Sequence, residues 1–470
     1  MNENNMSSDI YPPRMNSNML PLAAVAQTKR SKDSFLRGNV MKGMFVALTA
    51  SAALLPVSAN AQTLNEALAL AYATNPIIGA ERAQYRSTSE GIAQARARGL
   101  PQIRASASYS KADDTQTINN AAFGGAGITD RSFDLETKSV QIQGEQTIFA
   151  GLRNVNAIRQ ARARANVGGA QLSLVEQDIL LRAAEAYFDV IRDMVVFQAT
   201  ENNVQVLLRQ YEEAAFRFEI GEVTRTDVAQ TNARLAQSRA QMTTAQARLA
   251  ISRAAFGEFI GQMPATLEQD PALPETPASL EEARAIANEV SPTIIQAVMR
   301  EEASRRGVAI AKGAFAPSVA LTASYQYAEE PSTFITNDEQ FAYGVRLTAP
   351  IFLGGLNISR VREARAANTA DRRRIDAAER RIEAAVTAAW QQLRAARANI
   401  VSAETSVTAN ELALAGVRRE SEIGVRTTLD VLDAEQEYLD AQVSLANAKR
   451  DAQAATFQLL AATGILTPGD

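Results

Sequence analysis

Residues 228–256 read VAQTNARLAQSRAQMTTAQARLAISRAAF, and residues 431–459 read VLDAEQEYLDAQVSLANAKRDAQAATFQL. In the first stretch large apolar residues fall every seventh place: Val228, Leu235, Met242, Leu249 and Phe256. Small residues, Thr231, Ser238, Ala245 and Ser252, sit three places after each large one. The second stretch repeats the register 203 residues later, with Val431, Tyr438, Leu445, Ala452 and Leu459 between Ala434, Ala441, Ala448 and Ala455. Steps of three and four sustained over four heptads underwind a helix into a left-handed coiled-coil seam. Small residues at alternate seam positions let the helix backbones approach closely. An ordinary bundle core explains one such helix; two copies in one register require an internally duplicated coiled-coil protein.

Each seam helix is preceded by a matched turn. The first is Glu219-Ile220-Gly221-Glu222-Val223-Thr224-Arg225-Thr226-Asp227, and the second is Glu422-Ile423-Gly424-Val425-Arg426-Thr427-Thr428-Leu429-Asp430. Glycine supplies the left-handed residue that ends the preceding helix. Thr224 with Asp227, and Thr427 with Asp430, have the spacing of an N-cap and its N3 carboxylate. Capping does not account for Asp433, whose counterpart in the first copy is Gln230. The exposed turn residues Ile220, Gly221, Val223, Ile423, Gly424 and Val425 either dock a partner or simply close a helical hairpin.

Before each turn a helix of about 67 residues is expected, 152–218 and 355–421, roughly 100 Å long at 1.5 Å per residue. Gly168-Gly169 marks a potential kink in the first. Each long helix follows a helix-to-strand transition: Pro101 and Pro317 end short helices, and the turns Ile148-Phe149-Ala150-Gly151 and Ile351-Phe352-Leu353-Gly354 begin the long ones. Between them the hydrophobic period changes to two. Ile103, Ala105, Ala107 and Tyr109 return through Val140, Ile142 and Gly144; Val319, Leu321, Ala323, Tyr325 and Tyr327 return through Phe341, Tyr343, Val345 and Leu347. These hairpins, 102–149 and 318–352, have strands of about ten residues, the length of a tilted membrane-crossing strand. Gly124-Gly125-Ala126-Gly127 lies in the longer of the two predicted loops, read as mobile and extracellular. Open sheet edges are not tolerated in lipid, so the two separated hairpins would close with strands of other subunits.

The predicted organisation is 1–40 as an upstream extension, 41–61 as a signal peptide, and 62–262 as the first repeat. A proline-rich belt spans 263–279, the second repeat 280–463 and a tail 464–470, with seam helices at 228–262 and 431–462. The signal reading rests on Lys42, the apolar run Met44–Leu55 and Ala59-Asn60-Ala61. Residues 1–61 hold six basic and three acidic groups, so without them the stated net charge of −4 becomes −7, which argues against a nucleic-acid partner. Cysteine and histidine are absent from the sequence, which removes disulfides, thiolate sites and the commonest general base. No metal-ligand spacing or nucleophile arrangement is present, and neither a metal, a cofactor nor an enzymatic activity is expected.

The tip turns, the Asn75-Pro76 and Ser291-Pro292 breaks, the proline-to-strand transitions and the signal segment resemble the TolC family of outer-membrane exit ducts, over Gln62–Gly464. The resemblance implies a mainly α fold with a small β part. A homotrimer would join a transmembrane β-barrel, four strands per protomer, to a long antiparallel coiled-coil α-barrel in the periplasm. It implies a passive duct for type I secretion or multidrug efflux, served by a periplasmic adaptor and an inner-membrane ABC or RND-type pump. The branch it resembles more is protein secretion. By position, Asp430 and Asp433 match the acidic residues ringing the closed aperture. Arg426 matches an arginine reaching across a subunit boundary towards the positions of Thr226 and Asp227. Ser421 stands where the family's type member has a tyrosine. The alternative is a periplasmic adaptor or structural coiled coil without a membrane barrel.

Overall fold

The computed structural model describes residues 62–119, 127–332 and 335–467. The predicted extension 1–40, the signal 41–61 and Gly124–Ala126 lie outside them. Eight helices and four strands occur in two matched sets among the described residues. The first set is α1 (Leu64–Thr74), α2 (Pro76–Ala97), β1 (Gln102–Asn119), β2 (Ile128–Ala150), α3 (Arg153–Glu219) and α4 (Arg225–Ile260). The second is α5 (Leu280–Val290), α6 (Pro292–Gly313), β3 (Ser318–Ser332), β4 (Ile335–Thr348), α7 (Leu356–Glu422) and α8 (Thr428–Thr463).

Both long helices have 67 residues. Gly168 and Gly169 do not break α3; they leave room for the Tyr85 ring of α2, whose Cδ2 lies 3.5 Å from where a Gly168 Cβ would stand. In α4 the buried residues are Thr231, Leu235, Ser238, Ala245, Leu249, Ser252 and Phe256, seven of the nine predicted seam positions, together with Ile260; Val228 and Met242 are only half-buried. In α8 the seam is only part of the buried surface. Leu432, Glu435, Leu439 and Ala446 are buried as well, because α8 packs on α3 in addition to α7.

The two proline breaks have a packing reason. The Asn75 side chain caps α2 through Ile77 N at 2.9 Å and donates to Phe259 O at 3.1 Å, so the α1–α2 junction holds the end of α4. Gly464, in left-handed backbone at the end of α8, abuts Ser291 and Pro292 in the corresponding way. Just beyond it Ile465 packs against the core and Leu466 is buried in it. The proline-rich segment is non-helical and pairs with the start of the described chain, Gln62 bridging to Leu267. Gln62 N donates to Thr266 O at 2.7 Å, and the Tyr187 hydroxyl donates to Gln62 O (2.9 Å) and Glu268 O (3.2 Å). Burial of this ring pushes the Tyr187 pKa up to about 12.

The hairpins are not separate. They form one antiparallel sheet in the order β1-β2-β3-β4, with Ile142 facing Tyr325 and Gly144 facing Ala323 across the central seam. The strands also run well beyond ten residues, to 18, 23, 15 and 14. Most of the predicted loop 110–140 is therefore ladder, from Gln102 opposite Glu145 to Asn119 opposite Ile128. Hydrophobic alternation could not reveal this half, because polar pairs hold it. Lys111 reaches Asp134 (3.0 Å) and Glu136 (2.9 Å), and the Thr117 hydroxyl donates to Asp130 (2.6 Å). The second hairpin is shorter than predicted at its base: β4 ends at Thr348, and Ala349–Leu353 has no ladder partner. Ile351 and Phe352 are 96% and 86% exposed there.

The register puts every predicted apolar strand position on one face. Val319, Leu321, Ala323 and Tyr325 oppose Leu347, Val345, Tyr343 and Phe341, while Thr322, Ser324 and Gln326 oppose Gly344, Ala342 and Gln340 on the other face. From Val319 to Tyr327 the apolar face runs about 26 Å along the strand.

At the base of the sheet Gly151 meets Gly313. A Cβ on Gly151 would lie 2.4 Å from Gly313 O and 2.5 Å from Ala316 Cβ, whereas one on Gly354 meets nothing within 4 Å in the chain. Both glycines have positive φ, so the backbone strain of an alanine, about 1 kcal/mol, is common to both. The clash adds about 2 kcal/mol for Gly151→Ala alone. Urea unfolding followed by helical circular dichroism should show a lower midpoint for Gly151→Ala than for the parent; an unchanged midpoint would contradict the close crossing.

Candidate functional site

The site is the end of the two coiled coils, where α3 turns into α4 and α7 into α8. Each turn is a left-handed glycine with two closing bonds. Glu222 N donates to Arg217 O at 2.8 Å and Gly221 N to Phe218 O at 3.0 Å; Val425 N donates to Glu420 O at 2.9 Å and Gly424 N to Ser421 O at 3.0 Å. These are Schellman closures, which satisfy the last carbonyls of the long helices. The next helices begin at complete capping boxes. Thr224 Oγ1 accepts from Asp227 N and Asp227 Oδ2 accepts from Thr224 N at 2.8 Å; Thr427 and Asp430 do the same at 2.9 Å. The backbone N–H of each threonine, then its hydroxyl, holds the Asp227 and Asp430 carboxyls below their usual range.

The tip residues Ile220, Ile423 and Val425 are exposed, Val223 is partly covered, and both glycines are at the surface. Within the chain Arg426 does not reach the first tip. Its Nε donates to Glu420 Oε2 at 2.9 Å, while Asp227 is engaged by Thr224. Asp433 has a partner that the sequence did not suggest, Arg234 of α4, through an Nη2–Oδ1 ion pair. The carboxylate without a capping role is thus neutralised by the neighbouring coil.

One functional candidate was missed altogether. Glu435 is 5% exposed, and its Oε1 accepts from Gln210 Nε2 of α3 at 3.2 Å and from Arg418 Nε of α7 at 3.0 Å, with Arg418 Nη2 closer still. One carboxylate oxygen therefore links α3, α7 and α8. Comparing the repeats would have exposed it: the counterparts of Glu435, Arg418 and Gln210 are Asn232, Ala215 and Ala413. Charge that appears in only one copy of a duplicated coil is the available signal. Beside this network Ser421 lines a cleft of ≈ 720 Å³ between the two coils, with Arg217, Val223, Arg418, Thr428 and Val431. A short side chain at 421 leaves that space open.

At the other end, Pro101 and Pro317 stand immediately before β1 and β3, Phe149 is in β2, and Gly151 and Gly354 lead into α3 and α7. Phe352 lies beyond the end of β4. No cluster of potential metal ligands occurs among the described residues. No described helix is long and apolar enough to cross a membrane, which says nothing of strands.

The family model described as "Outer membrane efflux protein" matches residues 47–262 and 283–465. The chain is 30% identical to the outer membrane efflux protein BepC of Brucella suis over 411 residues, 87% of each chain. It is 26% identical to the outer membrane protein TolC of Vibrio cholerae over 419 residues, 87% of this chain and 92% of that one. It is also similar to the alkaline protease secretion protein AprF of Pseudomonas aeruginosa, 24% identical and covering 76% and 75%. Among solved structures, the outer membrane protein VceC of Vibrio cholerae superposes with a TM-score of 0.71 at 21% identity, covering 85% of this chain and 96% of that one.

Proposed function

The chain belongs to the outer membrane efflux protein family, and from that premise we propose that three copies close one exit duct, each supplying four strands of a common barrel. As a family member it is a transport channel of the outer membrane with its helices in the periplasm, not an enzyme.

The observation that carries it is the pair of unpaired outer edges, β1 and β4, on a sheet with one apolar face. Hydrocarbon excludes open edges, so β4 of one copy pairs with β1 of the next. The helices argue in the same direction. In the second set α6 lies between α3 and α7, but its counterpart α2 packs only on α3 among the long helices. The α7 of one neighbouring copy completes the pattern, and β1 and α2 of the other neighbour cover the exposed Ile351 and Phe352. A soluble adaptor or structural coiled coil would leave the apolar strand face in water.

Substrate enters at the tips, delivered by a periplasmic adaptor docked on Ile220, Gly221, Val223, Ile423, Gly424 and Val425, and by an inner-membrane ABC or RND-type pump. Relatives named for efflux and for protease secretion leave both cargo classes within this reading. Asp430 rings the aperture with Asp433, and Arg426 faces the neighbouring copy's positions 226 and 227. Because Arg234 offsets Asp433, Asp430 carries most of the free negative field.

In planar bilayers the channel should be cation-selective and blocked by multivalent cations, and Asp430→Asn should remove most of that block. The hydrogen bonds from Thr427 lower the Asp430 pKa, so the carboxylate stays charged as pH falls through the ordinary range. Block should therefore fade only below that range. Unchanged block in Asp430→Asn would contradict the aperture assignment.

A further inference from the structure

At the opposite end of the helices from the tips, a cavity of ≈ 580 Å³ sits between the base of the sheet and the start of α3. Its strand lining, including Glu145, Thr147, Arg346 and Thr348, comes from the polar face. Ala320 stands opposite both Arg346 and Thr147, and Thr322 opposite Glu145. Arg98, from the end of α2, and Arg153, from the first turn of α3, complete a set of three guanidiniums around it. Among the described residues no carboxylate pairs with any of the three. Arg153 has only the carbonyl of Ala150, at 3.0 Å, and Glu145 also lacks a partner. Three cations against one carboxylate leave a net charge of +2 facing one polar cavity. This contrasts with the tips, where Arg217, Arg234, Arg418 and Arg426 all have acidic partners.

We propose that this cavity is a binding site for an oxyanion group, phosphate, sulfate or carboxylate, carried by solutes passing through the base of the barrel. The guanidinium fork matches such groups bidentately, and Thr147, Thr348 and Asn154 add neutral hydrogen-bonding groups. The inference rests on the trimeric reading above, which turns the polar face inward and repeats the site three times around one axis. The duct then carries two opposed filters, a cation-attracting aperture at the tips and an anion-holding ring at the barrel floor. Low-dielectric walls around a water-filled lumen focus the field of such a ring beyond its value on an open surface.

The test uses the full-length channel in planar bilayers of zwitterionic lipid, so that no lipid phosphate monoester competes, with inorganic tripolyphosphate as probe. Tripolyphosphate added on the barrel side should reduce the potassium chloride current. Arg98→Gln with Arg346→Gln should raise the half-blocking concentration about tenfold or more, as expected for two lost charged hydrogen-bonding groups. Arg98→Lys with Arg346→Lys keeps the charge, protecting assembly, and should weaken the block by losing the forks. Half-blocking concentrations equal to the parent's in both double variants would overturn the site. Failure of the trimeric reading would look different, since no channel current would appear at all.

Discussion

Val345→Arg is expected to remove the assembled protein from the outer membrane, while Ala342→Arg, three residues away in the same strand, leaves it in place. Val345 faces Leu321 on the apolar side of the sheet, and Ala342 faces Ser324 on the polar side. Both positions are exposed in the single chain, so burial within it does not separate them. What separates them is the solvent each will meet. An arginine on the lipid side of an outer-membrane barrel costs about 2–4 kcal/mol near the bilayer midplane. Each of three copies would bear that cost. An arginine on the water-filled side costs little. The readout is the yield of detergent-resistant oligomer in the outer-membrane fraction. Equal yields for the two variants would mean that the apolar face is not in lipid.

Glu435→Ala should open the resting channel. The carboxylate joins Gln210 of α3 to Arg418 of α7, and so holds one coiled coil against the other close to the aperture. Removing it strands a guanidinium and a buried amide together. A fully buried pair broken in this way costs about 3–5 kcal/mol, and the half-exposed Arg418 reduces that to about 2 kcal/mol. A bias of that size shifts a closed-to-open ratio by about 30-fold. Arg418→Ala should open the channel to a similar extent, and the double variant should add little to either single one. Single-channel open probability and the entry of antibiotics too large for ordinary porins both report the change. Strictly additive effects, or none, would mean that the network only packs the coil.

What the sequence made legible follows from periodicity. The α4 seam from Thr231 to Phe256, both capping boxes and the alternation of β3 and β4 each rest on patterns with a single geometric reading. The polar halves of β1 and β2 did not, because Lys111, Asp134 and Glu136 stabilise a ladder without any hydrophobic alternation. The second buried stripe of α8 was hidden for another reason. It runs through Leu432, Glu435, Leu439 and Ala446, where the glutamate interrupts the apolar spacing and the alanine fits a surface or a core equally well. The partner of Asp433 is 199 residues away in sequence, and no local rule links it to Arg234. At the tips, the turn chemistry was local and therefore readable; the ion pairs that join the coils were tertiary and therefore were not.

The duplication supplies the most direct test. Within the chain, β2 meets β3 with Gly144 opposite Ala323. The repeat offsets of 203 and 216 residues carry that pair to Leu347 and Ala107, which would face each other between neighbouring copies. Directly opposed strand residues have Cα atoms about 4.5–5.5 Å apart, within reach of a disulfide. The chain has no cysteine of its own, so Ala107→Cys with Leu347→Cys places the only two thiols at this seam. After mild oxidation of whole cells, a boiled, non-reducing gel should show a covalent trimer for the double variant, and monomer for each single one. A double variant that remains monomeric with both thiols free would contradict the shared barrel.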